Sequence, residues 1–160
     1  MEIQRLTQRD LARFRAVRLR SLRDAPAAFG TTAEEAAAWP REVWARLFSG
    51  LLAFVAVESG QDVGLVRGAP DREVAKAARL GSLWVAPEAR GRGLGAQLVG
   101  AVVDWARLNR ADSIELWVMT TNERARRLYE RCGFEVKDGH RAAPDDPCRN
   151  EVRMRMEIEH

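Results

Sequence analysis

The sequence predicts a mixed α/β domain, a sheet of about seven strands with helices on both faces. Three observations point there. Apolar residues alternate at strand spacing in several short runs, they recur at helical spacing in longer runs, and the two kinds are interleaved along the chain. With 160 residues the whole chain, 1–160, reads as a single domain. An apolar fraction of 46% is sufficient for one core.

Residues 2–6 alternate as a strand. Thr7 with Asp10 resembles an N-cap and its first-turn acid, and Leu11, Phe14, Val17, Leu19 and Leu22 then carry one apolar face to about residue 23. Asp24-Ala25-Pro26 breaks that helix. A second helical region, 33–48, is interrupted near Pro40. Residues 51–58 read as a strand, 59–62 as a turn, 63–68 as a strand and 69–76 as a polar loop. Leu80 to Val85 is a further central strand. Leu94, Leu98, Val102 and Trp105 line one side of a long helix. Ser113 to Met119 is a strand, and Asn122 opens a short helix with Ala125, Leu128, Tyr129 and Cys132 on one face. Gly133 caps that helix, and Phe134 to Lys137 begins a strand. His140 falls in a polar loop with Pro144, Asp145, Asp146 and Pro147. The end, 151–159, alternates Val152, Met154, Met156 and Ile158 against charged residues as a half-buried strand does.

Composition excludes several classes. A formal charge of +3 is too close to neutral to indicate nucleic acid, and the aromatics are not interleaved with the basic residues. No apolar run is long enough for a bilayer, and the N-terminus shows no signal core. Cys132 and Cys148 lack metal-site spacing and are too few for a disulfide framework, so a reduced, cytoplasmic setting without a metal is expected. The basic residues are almost all arginine, Lys76 and Lys137 being the only lysines; a codon bias accounts for the overall count.

The most informative stretch is Arg90-Gly91-Arg92-Gly93-Leu94-Gly95, between a strand and a long helix. Glycines there let the backbone turn sharply and approach a ligand, and a helix that starts there directs unpaired N–H groups and its positive dipole end outward. The arrangement suits a pyrophosphate and hence a phosphorylated cofactor. Gly91, Gly93 and Ala96 formally match a dinucleotide fingerprint, but Pro87 to Arg90 separate them from the strand and some eighty residues precede them. A Walker loop fails because no Gly-Lys-Ser/Thr follows.

The run LWVAPEARGRGLGAQLV, with NERARRLYERCGFE further on, resembles the GNAT superfamily of acyl-CoA-dependent N-acetyltransferases. Arg90, Gly93 and Gly95 meet its Arg/Gln-x-x-Gly-x-Gly/Ala signature. The resemblance implies a mixed, largely antiparallel sheet whose central strands splay. It implies that Gly91 to Ala96, including Arg92, Leu94 and Gly95, lie along the diphosphate of acetyl-CoA, and that Leu83, Trp84 and Val85 run beside its pantetheine arm in the manner of an added strand. Asn122 then touches the cofactor arm, or is simply an N-cap. Tyr129 is the general acid for the departing thiolate, or packs in the core. Arg126 or Arg127 lies near the adenosine phosphates, or on a solvated face. A homodimer is compatible with the resemblance, with the last strand as its candidate contact.

The implied reaction is direct attack of an amine on the thioester. A lysine-like ammonium is uncharged in roughly one molecule in 2,500 at pH 7, which adds about 4.6 kcal/mol unless the site lowers its pKa or supplies a base. The strand before the glycines carries no carboxylate; Glu34, Glu35 and Glu115 are the alternatives, beside a water chain. Phe29, Trp39, Trp44 and Phe48 are the apolar candidates for an acceptor site. The expected function is N-acetylation of a small amine metabolite. The alternatives are acetylation of a protein N-terminus or lysine, and a non-catalytic acyl-CoA sensor.

Overall fold

A computed structural model describes residues 1–29, 31–49, 52–143 and 146–160. Twelve elements follow one another: β1 (Glu2–Leu6), α1 (Leu11–Asp24), α2 (Ala33–Ala37), α3 (Arg41–Phe48), β2 (Leu52–Glu58), β3 (Gln61–Pro70), β4 (Ala77–Val85), α4 (Leu94–Leu108), β5 (Ser113–Met119), α5 (Glu123–Arg131), β6 (Glu135–Ala143) and β7 (Asp146–Glu157). All seven strands share one sheet in the order β1-β2-β3-β4-β5-β7-β6. Every neighbouring pair is antiparallel except β4 and β5.

Local chemistry accounts for the boundaries. The Asp10 carboxylate accepts from the Thr7 N–H at 2.8 Å and starts the turn that leads into α1. Pro40 separates α2 from α3, since a proline cannot donate to a continuing helix. The β2–β3 turn is tighter than its composition suggests: Ser59 (φ 51°) and Gly60 (φ 76°) form a two-residue hairpin turn, so β3 begins at Gln61 and runs on to Pro70. The region around His140 departs from the expected loop. β6 runs to Ala143 and β7 begins at Asp146, because the backbone pairing of two strands needs no apolar pattern. Leu51, Pro144 and Asp145 lie outside the described residues. β7 is bonded to β5 on one side and to β6 on the other, so most of its length has no free edge for a second copy of the chain.

The sheet is covered on both faces. On one, α4 lies against β3 where Gly64 and Gly68 leave room. A Cβ on Gly64 would meet Leu98 Cδ1 at 2.9 Å, and one on Gly68 would meet Val102 Cγ1 at 3.3 Å. On the other, Phe14 of α1 packs between Trp44 and Phe48 of α3, with ring centroids 6.1 and 4.9 Å away. Burial of these rings ties α1 to α3, at roughly 1.5–3 kcal/mol for each large apolar side chain.

Two features of β4 shape the site. Its pairing with β5 covers only Ala77–Ser113, Ala78–Ile114 and Arg79–Glu115, after which the strands part. Opposite β3, the register steps from Arg67↔Gly81 to Leu65↔Trp84, so β4 carries one extra residue, and Ser82 in that interval has φ +58°. A bulge bends its strand and increases the local twist, which turns the Leu83–Val85 end out of the β5 ladder.

Candidate active site

The strand β4 ends at Val85, a single turn at Pro87–Ala89 follows, and the glycine segment then leads into α4. Gly91 and Gly93 both have φ +81°, and neither has an atom within 4 Å of where a Cβ would stand. They are required for conformation, since the left-handed region is costly for L-residues and free for glycine. Gly93 is the N-cap of α4 and has no side chain to accept from the first turn, so those amides stay available at the positive end of the dipole. Gly95 serves a different purpose. A Cβ there would stand 2.8 Å from Leu128 Cδ2, so its absence lets α4 and α5 close together.

A cleft of about 580 Å³ opens between this loop, the end of β4, α5 and the α1–α2 connection. Leu83, Trp84, Val85, Arg90, Gly91, Gly93, Leu94, Gly95, Ala96 and Asn122 all line it. Arg92 does not. It turns away to Glu58 of β2, 2.8 Å from the carboxylate, and donates to the Glu88 carbonyl at 3.3 Å. Arg90 acts as a brace: its Nε donates to the Val85 carbonyl at 2.9 Å and its Nη2 to Asp24 at 2.7 Å. Asp24 also accepts from Trp84 Nε1 at 2.8 Å, so one carboxylate joins the end of α1, strand β4 and the loop.

Asn122 combines both readings. Its side chain caps α5 by accepting from the Ala125 N–H at 3.2 Å, and it faces the cleft. The arginines of α5 are sorted differently from the sequence expectation. Arg124 and Arg131 line the cleft. Arg126 donates to the Thr120 carbonyl, and Arg127 pairs with Glu123 at 3.7 Å. Ala25 and Ala28 are wall residues that no periodicity marks; Phe29 joins them.

Tyr129 stands behind the cleft's lining side chains, with its hydroxyl not fully enclosed. It is buried one residue beyond Leu128, which lines the cleft, with its ring edge-on to Phe134 at 5.7 Å. Desolvation pushes the phenol far above its ordinary range, so it keeps its proton at any physiological pH. Its hydroxyl makes no hydrogen bond to a described residue. None of the three candidate bases reaches the cleft. Glu34 and Glu35 are exposed in the first turn of α2. Glu115 is buried and bonded to Arg155 Nη1 at 3.1 Å, and burial raises its carboxyl above the usual range. Of the aromatic candidates, Phe29 reaches the cleft and Trp39 lines a second cavity, while Trp44 and Phe48 seal the core. The half-buried Cys132 thiol is pushed up by burial, as in an unreactive packing residue. Among the described residues no helix is long and apolar enough to cross a membrane, and no three ligating side chains are placed to hold a metal.

Comparison with known proteins agrees with this geometry. An uncharacterized N-acetyltransferase of Methanocaldococcus jannaschii is 33% identical over 89 residues, which cover 53% of this chain and 39% of that protein. The chain therefore matches well under two thirds of that relative's length. A ribosomal-protein-alanine N-acetyltransferase from Brucella melitensis has a similar fold, with TM-score 0.75 and 21% identity over 99% of this chain and 100% of its own. So does an acetyltransferase from Salmonella typhimurium solved with its cofactor acetyl-CoA, with TM-score 0.74 and 20% identity over 100% of this chain and 95% of its own. Residues 17–134, from the middle of α1 to the strand that follows α5, match the Acetyltransferase (GNAT) family, and a chain with that match, this sheet and this glycine-shaped helix start belongs to the GNAT family.

Proposed function

We propose that the chain, as one acetyltransferase domain over 1–160, transfers an acetyl group from acetyl-CoA to a primary amine of a small metabolite. The observation that carries this reading is the single cleft joining two features. At one end are the free amides of the α4 start, held open by Gly91 and Gly93; at the other is the edge of β4 beyond Arg79, released from β5. The first suits a diphosphate and the second suits the amide-bearing arm of coenzyme A, so the residues present fit this cosubstrate. The Salmonella protein of like fold is described with acetyl-CoA, which supports the assignment.

In this reading the backbone from Gly91 to Ala96 holds the diphosphate, with Arg124 and Arg131 adding charge at the rim and Arg92 acting only through its main chain. Leu83, Trp84 and Val85 line the arm, and Asn122 touches it. The amine attacks the thioester carbonyl, the oxyanion collapses, the C–S bond breaks, and the proton that the nitrogen loses passes to water. Tyr129 gives its proton to the leaving sulfur and regains one from water. A thiolate expelled into an apolar cleft is raised by the same desolvation that raises the phenol, which keeps the transfer feasible. No side-chain base is assigned. A cytoplasmic setting belongs to the same proposal.

Calorimetry with acetyl-CoA, followed by thiol release against a panel of amines, tests the reading. Binding with turnover on small amines is expected. Binding without turnover on any amine points to a sensor, and absence of binding removes the proposal.

A further inference from the structure

A second cavity, of about 500 Å³, lies between α3 and strands β3 and β4. Four arginines face it, Arg46 from α3, Arg67 from β3, Arg72 from the β3–β4 loop and Arg79 from β4, and no acidic side chain does. None of the four makes an ion pair or hydrogen bond with a described residue. Three arginines elsewhere are neutralised directly: Arg13, Arg90 and Arg92 each have a carboxylate at 2.6–2.8 Å. Arg46, Arg72 and Arg79 are exposed at the rim, where water serves them. Arg67 is half-buried between them. Desolvation there, with Arg79 close by, pushes its guanidinium down to about 10. Behind it Arg18, only 8% exposed, rests on the Phe29 ring at 4.5 Å and has Arg67 as its like-charged neighbour. Cationic groups therefore run from the second cavity toward the wall of the first. A half-buried guanidinium without a counter-ion is only partly solvated, and an arriving oxyanion would complete its hydrogen bonding.

Strand β4 connects the two cavities. Gly81 lines the second and Leu83 the first, on either side of the Ser82 bulge. A Cβ on Gly81 would meet no atom within 4 Å, so the strand is bare on that side. Trp39, Val43 and Leu47 give the cavity an apolar side for a short carbon chain.

We infer that this cavity is the anion subsite of the acceptor, so that the amine acetylated carries a carboxylate or phosphate a few bonds from its nitrogen. The inference rests on the function proposed above and narrows its substrate class. It disfavours polyamines and other cationic acceptors, which the four guanidiniums repel.

The test uses the full chain, Arg67→Met, and Arg107→Gln on the exposed face of α4 as a charge control. Thermal unfolding is followed with inorganic phosphate in the presence of saturating acetyl-CoA, so that the α4 site is already filled. Phosphate is expected to raise the midpoint of wild type and of the Arg107→Gln control alike, and to lose that effect in Arg67→Met. Without phosphate, Arg67→Met is expected to be at least as stable as wild type, because it removes an unpaired charge, so lost protection is not lost folding. In the kinetic arm, β-alanine and phosphoethanolamine are compared with ethanolamine and spermidine. One of the two anionic amines is expected to exceed ethanolamine in kcat/KM by about ten- to a hundred-fold, the scale of one or two hydrogen bonds to a charged group. Whichever wins identifies the oxyanion, and the advantage should vanish in Arg67→Met. Equal rates for ethanolamine and both anionic amines overturn the inference, as does phosphate protection that survives in Arg67→Met. Failure to bind acetyl-CoA is a separate result. It removes the proposed function, while the phosphate response of Arg67→Met against wild type still decides the subsite.

Discussion

Replacing Gly93 by alanine separates the conformational role of the glycine loop from its steric one. Gly93 has φ +81° and open space where the Cβ would go, so the substitution adds no clash and its whole cost is backbone strain. An L-residue in the left-handed region costs about 1–2 kcal/mol. The free protein can bear that strain, or release it by rotating the loop. In the first case its stability falls by the full amount and acetyl-CoA affinity is unchanged. In the second its stability is kept, and binding must restore the loop, which weakens affinity by about 5–30-fold. The two losses are complementary, so the complex with acetyl-CoA is destabilised by about 1–2 kcal/mol in either case. For a chain of this size that is a midpoint lower by about 2–8 °C. Calorimetry of acetyl-CoA binding, with thermal unfolding at saturation, measures both terms. A complex of Gly93→Ala as stable as the wild-type complex would refute the reasoning, since the loop would then not need its left-handed geometry to hold the cofactor. Gly95→Ala provides the contrast. Alanine favours the helix there by about 1 kcal/mol, but its Cβ would drive Leu128 from 2.8 Å toward the cleft, so affinity should fall with little change in the stability of the free protein.

Tyr129→Phe removes a hydroxyl that bonds to no described residue, so the midpoint and acetyl-CoA affinity should be nearly unchanged while turnover falls about 10²–10⁴-fold; steady-state thiol release checks this, and full turnover would remove the general-acid role. Gly64→Ala places a Cβ 2.9 Å from Leu98 Cδ1, 3.2 Å from Ala56 Cβ and 3.3 Å from the Trp84 carbonyl, which crowds three elements at once. It should cost about 1–3 kcal/mol by denaturant unfolding. Glu115 has its folded pKa raised by burial, so the folded state holds the proton more tightly than the unfolded state. Stability attributable to this group is therefore greatest at low pH and declines as pH rises from the ordinary carboxylate range through the raised value. Glu115→Gln should flatten that decline without lowering stability at neutral pH, as urea midpoints across pH 4–7 would show; a steeper decline in the variant would contradict the sign.

How much of this was legible in the sequence depends on whether the signal is local. The α4 start was readable because it is written in consecutive residues: Gly91 and Gly93 are needed where they stand for backbone reasons that no distant partner supplies. The apolar stripe of α4 was readable because periodicity is a local property, and Leu94, Leu98 and Val102 are buried as it requires. Side-chain destinations were not. Arg90 and Arg92 look equivalent in the sequence, yet one braces the cleft through Asp24 and the other is drawn off by Glu58, two carboxylates far away in the chain. Tyr129 was visible as a residue of the right helix, but its position behind the wall depends on Phe134 and the packing of α5.

The acceptor side shows the same limit from the opposite direction. A surplus of arginine reads as composition, because nothing local distinguishes an arginine that will find a carboxylate from one that will not. Only the fold brings Arg46, Arg67, Arg72 and Arg79 to one cavity from a helix, two strands and a loop. No acidic side chain lines that cavity. The strand that offers no carboxylate for a base is also the strand that contributes Arg79 and the bare Gly81. A cationic cavity of that kind works against any ammonium that enters it, and so favours the neutral form of the amine that must attack. An acceptor whose oxyanion is held by Arg67 while its amine points past Gly81 satisfies both conditions at once, which a cationic or purely apolar acceptor does not.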